Sequence, residues 1–168
     1  MARTENVGRV YVGIGSNIDS DANIRLGIKA LKKRFGHLLI SPVYESKAVG
    51  FRGPDFYNLV VGFDVQDTPE NIVEILHEIE SEFGRIRDKQ FISRTLDLDL
   101  LLFENLVLDK GRIQIPRQDI LDYAFVLRPL ADLNGEGRHP VLNLTYDELW
   151  EAFEKTDQDL RQVDMVID

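Results

Sequence analysis

The chain has 168 residues, enough for one compact domain whose apolar core needs no disulfide or structural metal. It contains no cysteine, which excludes disulfides, thiolate metal sites and a cysteine nucleophile, and its formal net charge of -9 makes the average surface repel nucleic acid and anionic membranes. No apolar run is long enough to span a bilayer and residues 1–6 are short and polar, so the expectation is a soluble, cytoplasmic, single domain over 1–168 with a flexible start over 1–6.

Residues 9–15 (RVYVGIG) read as a strand ending in glycine, after which Asp19 or Ser20 is placed to cap a helix. Ile24, Ile28, Leu31 and Phe35 recur at helical spacing, and Gly36 supplies the stop. Residues 38–49 read as a strand, the glycines and proline of GFRGPD as a loop, and residues 56–65 as a strand again. Thr68, Pro69 and Glu70 start a second helix with a buried stripe of Ile72, Leu76, Ile79 and Phe83, which Gly84 ends.

Residues 96–104 (LDLDLLLFE) read as a strand by alternation; residues 105–111 then turn into a β-like run over 112–115 that Pro116 closes. Residues 119–130 suggest one or two helical turns broken near Pro129, and Thr145 with Glu148 suggests a capping box ahead of Leu149, Trp150 and Phe153. Interleaved strands and helices point to an α+β layered sheet. His37, His77 and His139 show no metal-ligand spacing and read as structural or solvent-facing.

Side chains alternate along a strand, so Asp97 and Asp99 share a face while Leu96, Leu98 and Leu100 point to the core. Like charges on one strand face repel, so a compensating cation is expected, and hard oxygen ligands suit Mg²⁺. Alternate strand residues lie roughly 6.5 to 7 Å apart, within reach of a metal pair about 3.5 to 4 Å apart. The strand is entered from GRIRDKQFISRT, where Arg85, Arg87, Lys89 and Arg94 face the single acid Asp88. This local reversal of sign suits phosphate, since phosphoryl transfer asks the protein chiefly for orientation and cations. The plainer alternatives are a solvent face of an edge strand for the aspartates and solvated charges after a helix end for the arginines.

Residues 94–103 (RTLDLDLLLF) resemble the signature of the 6-hydroxymethyl-7,8-dihydropterin pyrophosphokinase family. VGIGSNID, SPVYESKAVG with PDFYN, IESEFGRIRD and FVLRPLADL fall in that family's order and approximate spacing, so the resemblance spans most of the chain. It implies a ferredoxin-like, three-layer α+β fold with a mostly antiparallel sheet, and transfer of pyrophosphate from ATP to the pterin alcohol with release of AMP. Asp97 and Asp99 would hold two Mg²⁺ ions, with Arg85 and Arg94 gripping the phosphates as catalytic partners. Arg87 and Arg112 would be further ATP contacts, with Glu80 and Leu100 near the nucleotide. Phe56, Asn58 and Phe125 match the pterin's stacking and hydrogen-bonding positions, Ser46 and Val49 match a loop that reads the ring edge, and Asp97 lies against the same substrate.

The chain departs from the pattern in places. Arg117 and Gln118 follow Pro116 where many members carry His-Tyr, Tyr123 stands near a common arginine, and Phe91 replaces a frequent tryptophan in a loop about one residue shorter. Arg117 is expected to compensate for lost cationic contacts to ATP. The partners expected are these small molecules alone, with no nucleic acid and no membrane, for a monomer. One alternative is a catalytically weak paralogue that binds pterin or nucleotide. Another is an RNA-binding module, which the acidic balance and the lack of closely spaced strand aromatics oppose.

Overall fold

The computed structural model describes residues 8–47, 53–84, 96–155 and 157–167. Strand β1 (Gly8–Ser16) buries Val10, Val12 and Ile14 on one face of a sheet and turns Tyr11, Gly13 and Gly15 to the other. Helix α1 (Ser20–Phe35) buries Ile24, Ile28 and Leu31, and Gly36 ends it at φ 83°, a conformation that favours glycine. The side-chain cap expected from Asp19 or Ser20 is not made. Asp19 is left-handed, and the Ser20 hydroxyl donates to the Ser16 carbonyl instead.

The run expected as one strand is split into β2 (Leu39–Ile40) and β3 (Val43–Ser46). Pro42 has no amide to give the ladder, and Ser41 bridges the gap. Its amide donates to the Val60 carbonyl at 3.0 Å and its hydroxyl accepts from the Val60 amide at 2.9 Å. Strand β4 (Phe56–Val65) and helix α2 (Pro69–Gly84) follow as expected, the Thr68 hydroxyl accepting from the Asn71 amide at 3.2 Å.

Strand β5 (Asp97–Phe103) starts with the expected alternation, Leu98 and Leu100 on the face of α1 and α2, Asp97, Asp99 and Leu101 on the other. The alternation then fails: Val12 pairs with Leu100 but Tyr11 with Leu102, so Leu101 is an extra residue, a β-bulge. The expected turn over 105–111 contains strand β6 (Leu108–Lys110), which pairs with β7 (Ile113–Ile115) around Gly111 at φ 62°.

Two helices occupy the region expected to break near Pro129, α3 (Asp119–Asp122) and α4 (Ala124–Asn134). The break falls at Tyr123, extended at φ -126° and ψ 125°, while Pro129 sits inside α4. An interior proline costs about 3 kcal/mol. Burial of Val126, Leu127, Leu130 and Ala131 along the same helix offsets it. Helix α5 (Tyr146–Ala152) has the expected capping box, with Glu148 amide to Thr145 hydroxyl at 3.0 Å and Thr145 amide to Glu148 carboxylate at 2.8 Å. Strand β8 (Arg161–Val163) was not anticipated.

The sheet runs β5-β1-β4-β3-β8, every pair antiparallel, with β2 also on β4. β1 and β3 are therefore parallel with β4 inserted between them, the split β-α-β of a ferredoxin-like fold. One apolar cluster packs α1 and α2 on one face, and a second packs α3, α4 and α5 on the other, giving the expected three-layer α+β architecture. Among the described residues no helix is long and apolar enough to cross a membrane.

Candidate active site

Strand register sets the site's floor. Asp97 pairs with Gly15, Gly15 with Asn58, and Asn58 with Tyr44, while Asp99 pairs with Gly13 and Gly13 with Val60. The glycines carry no side chains on the middle strand, so β5 and β4 flank a lane about 9.5 Å wide, two strand spacings, with the Leu101 side chain lying over Gly13. A Cβ on Gly15 would lie 3.5 Å from Asn58 Oδ1 and 3.7 Å from the Phe56 ring, so any side chain there would enter the lane. Sequence reading passed over these glycines, although glycines two apart inside a strand signal a close approach on one face.

Above the floor lies a cavity of about 260 Å³. Ser46, Phe56 and Asn58 line it from β3 and β4, Phe125 from α4, and Asp97 and Asp99 from β5, so these six expected site residues come together. The buried Asn58 amide nitrogen donates to Ser46 Oγ at 2.8 Å and to the Tyr44 carbonyl at 3.2 Å, which leaves its oxygen on the Gly15 side. Tyr123 also lines the cavity and stacks on Phe125, with centroids 5.0 Å apart and planes at 21°. Its site role was not anticipated, and neither was that of Lys47 on the rim.

A second, smaller cavity of about 150 Å³ opens at the outer side of β5. Leu100, Arg112 and Arg117, each expected at the nucleotide, line it together with His77 and Gln114. Asp99 borders both cavities. Glu80, expected near the nucleotide, lines neither: its carboxylate accepts the Leu98 amide at 2.7 Å and so fixes the edge of β5.

The bulge places Arg117, because its amide donates to the Leu101 carbonyl at 3.0 Å. Its Nη2 lies 3.7 Å from Asp99 Oδ1, and its Nε lies 3.3 Å from Asp119 Oδ2. The Nε-H is buried, and the Asp119 oxygen is too far off its line to make a hydrogen bond. Burial works against the charge on Arg117, but Asp99, Asp119 and Asp97 outweigh it and hold the guanidinium above its ordinary pKa.

Arg85, Arg87, Arg94 and Val49 lie outside the described residues, as do Lys89 and Phe91. Among the described residues no three of His, Cys, Asp and Glu gather into a metal cage. Two carboxylates on one strand face, beside bare glycines and open to two cavities, nevertheless fit Mg²⁺. That ion keeps several waters and takes one or two protein carboxylates plus substrate phosphates.

A sequence profile of the 7,8-dihydro-6-hydroxymethylpterin-pyrophosphokinase family matches residues 11–135. The chain belongs to this family. A 2-amino-4-hydroxy-6-hydroxymethyldihydropteridine pyrophosphokinase of Pseudomonas aeruginosa is 40% identical over 141 residues, covering 80% of this chain and 85% of the relative. A folic acid synthesis protein of Pneumocystis carinii is 32% identical over 161 residues, covering 92% of this chain and 21% of that protein. Among solved structures, the Plasmodium falciparum HPPK-DHPS with pterin and p-hydroxybenzoate superposes with a TM-score of 0.72 at 15% identity, over 89% of this chain and 44% of that one. This chain thus spans less than half of the Plasmodium chain, and the likeness at that identity concerns the fold, which is that of the pyrophosphokinases.

Proposed function

We propose that Asp97 and Asp99 hold Mg²⁺, two ions between them, at the seam between a pterin cavity and a nucleotide cavity. The reaction served is transfer of pyrophosphate from ATP to the hydroxymethyl group of 6-hydroxymethyl-7,8-dihydropterin, releasing AMP, in folate biosynthesis. The observation that carries the reading is that Asp99 borders both cavities, so donor and acceptor can meet at one carboxylate.

Phe56 and Phe125 supply faces for a flat heterocycle, and the Asn58 oxygen and Ser46 supply polar partners for its edge; Val49 is carried over from the family pattern as a further pterin contact. Leu100, Arg112 and Arg117 accommodate the nucleotide in the smaller cavity, and Glu80 steadies the strand beside it. Arg85, Arg87 and Arg94 lie within the twelve residues before Asp97 and neutralise the phosphates, Arg85 and Arg94 acting on the transferred group. When bound, Mg²⁺ lowers the alcohol's pKa and neutralises the bridging oxygens. The residues then orient the pterin oxygen in line with the β-phosphorus, and no side chain is assigned as general base. The same reading has a cytoplasmic monomer and a single domain over 1–168; the absence of cysteine fits a reducing compartment, and one sheet shared between both apolar clusters fits a single domain.

Incubation with ATP, Mg²⁺ and the reduced pterin is expected to release one AMP per pyrophosphorylated pterin. Asp97→Asn and Asp99→Asn should each lower kcat roughly 10²- to 10³-fold and weaken Mg²⁺ binding measured by calorimetry with an unreactive ATP analogue. Full product formation by the double variant would sink the assignment. Binding of both ligands by the wild type with no AMP would mark the catalytically weak relative.

A further inference from the structure

The break between α3 and α4 leaves two polar groups without helical partners, the Asp122 carbonyl at the end of one helix and the Ala124 amide at the start of the next. Tyr123 stands between them as N-cap, and Ala124 is the first helical residue, whose amide an N-cap side chain does not take, since the usual Ser, Thr, Asp or Asn accepts from the second or third. Gln158 takes it from 34 residues further along. Its Oε1 accepts from the Ala124 amide at 2.8 Å, and its Nε2 donates to the Asp122 carbonyl at 2.9 Å. A primary amide carries the acceptor and the donor this pair of opposite groups requires, whereas a carboxylate or an alkyl chain does not.

Between the two stapled groups, the Tyr123 amide donates to the Asp119 carbonyl at 3.0 Å, and its own carbonyl accepts from Leu127 at 3.0 Å. Its backbone is thus held on every side while its ring stacks on Phe125 in the larger cavity. Gln158 does not line that cavity; it works from behind, in an open hollow beside Leu127 and Phe153.

We infer that Gln158 is a positioning residue for pterin binding, fixing the Tyr123–Phe125 wall through the backbone on either side of Tyr123. This rests on the reading of the larger cavity as the pterin site. The test titrates reduced pterin into protein saturated with Mg²⁺ and an unreactive ATP analogue, and titrates the analogue separately. It compares wild type, Gln158→Leu, Gln158→Glu, Tyr123→Ala and the Tyr123→Ala/Gln158→Leu double variant. Gln158→Leu should weaken pterin roughly five- to tenfold, the scale of lost hydrogen bonds, and change analogue affinity less than about twofold. Gln158→Glu keeps the acceptor and loses the donor, so it should fall between, and it decides the matter if the leucine variant does not fold. In the Tyr123→Ala background the leucine substitution should add less than about twofold. Unchanged pterin affinity, equal weakening of both ligands, or a full effect persisting without Tyr123 overturns the inference. A wild type that binds the analogue but no pterin overturns the cavity assignment instead.

Discussion

Arg117 holds its guanidinium 3.7 Å from Asp99, each side chain 34% exposed, so a cation of the chain itself faces a carboxylate proposed to hold metal. The same guanidinium has a buried N–H without an acceptor and borders the smaller cavity. An incoming phosphate would compete with Asp99 for the Arg117 Nη2 group and draw it off, leaving the carboxylate to the metal. Arg117→Ala is therefore expected to raise the Michaelis constant for ATP roughly three- to tenfold, a charge-assisted contact discounted for partial exposure, with a smaller change for pterin. Steady-state kinetics with each substrate varied in turn checks this, and an unchanged constant for ATP removes Arg117 from the nucleotide site.

Gly15 tests the lane. A Cβ there meets Asn58, Phe56 and Asp97 at ordinary contact distances of 3.5, 3.7 and 3.9 Å, and valine favours strands. Gly15→Val should keep its thermal midpoint within a few degrees of wild type yet weaken pterin binding by roughly tenfold or more, because its methyl groups occupy the ring's place. Differential scanning calorimetry and pterin titration separate the two effects. Wild-type pterin affinity in a folded Gly15→Val protein would show that the ring does not use this lane.

His139 links stability to pH. It is buried, and its Nδ1 accepts from the Val141 and Leu142 amides at 3.2 Å, so the neutral ring is the one that fits. Burial lowers its pKa below the ordinary 6.5. Below pH 6.5 the unfolded chain takes up the proton first, so this contribution to stability is present above that pH and declines as the pH falls towards the lower folded value. Asparagine can accept the same two amides without titrating in this range. Urea melts of wild type and His139→Asn between pH 7.5 and 5 should show the wild type losing stability more steeply; parallel slopes would rule out the linkage.

Much of this was legible because the deciding patterns are local. The helical stripes of α1 and α2, the capping box at Thr145 and the shared face of Asp97 and Asp99 each follow from spacing alone. What escaped depends on partners distant in sequence. The bulge at Leu101 is set by pairing with Tyr11 and Val12, and three consecutive leucines carry no mark of which one is extra. The helix break moved from Pro129 to Tyr123 because Gln158 stabilises the gap, a contact no local window contains. In the sequence Tyr123 is only a departure from the family pattern, because its ring acquires a role once α4 packs across the sheet.

The outermost place of β5 carries a hazard as well as an advantage. A strand at a sheet's rim is open to arriving ligands, and for the same reason its spare ladder groups invite a foreign chain to zip on. Here Glu80 already occupies the Leu98 amide and the Arg117 amide already occupies the Leu101 carbonyl, so a would-be partner finds those rungs taken. The protein can thus keep its two acidic side chains at an accessible margin without offering that margin as a template for aggregation.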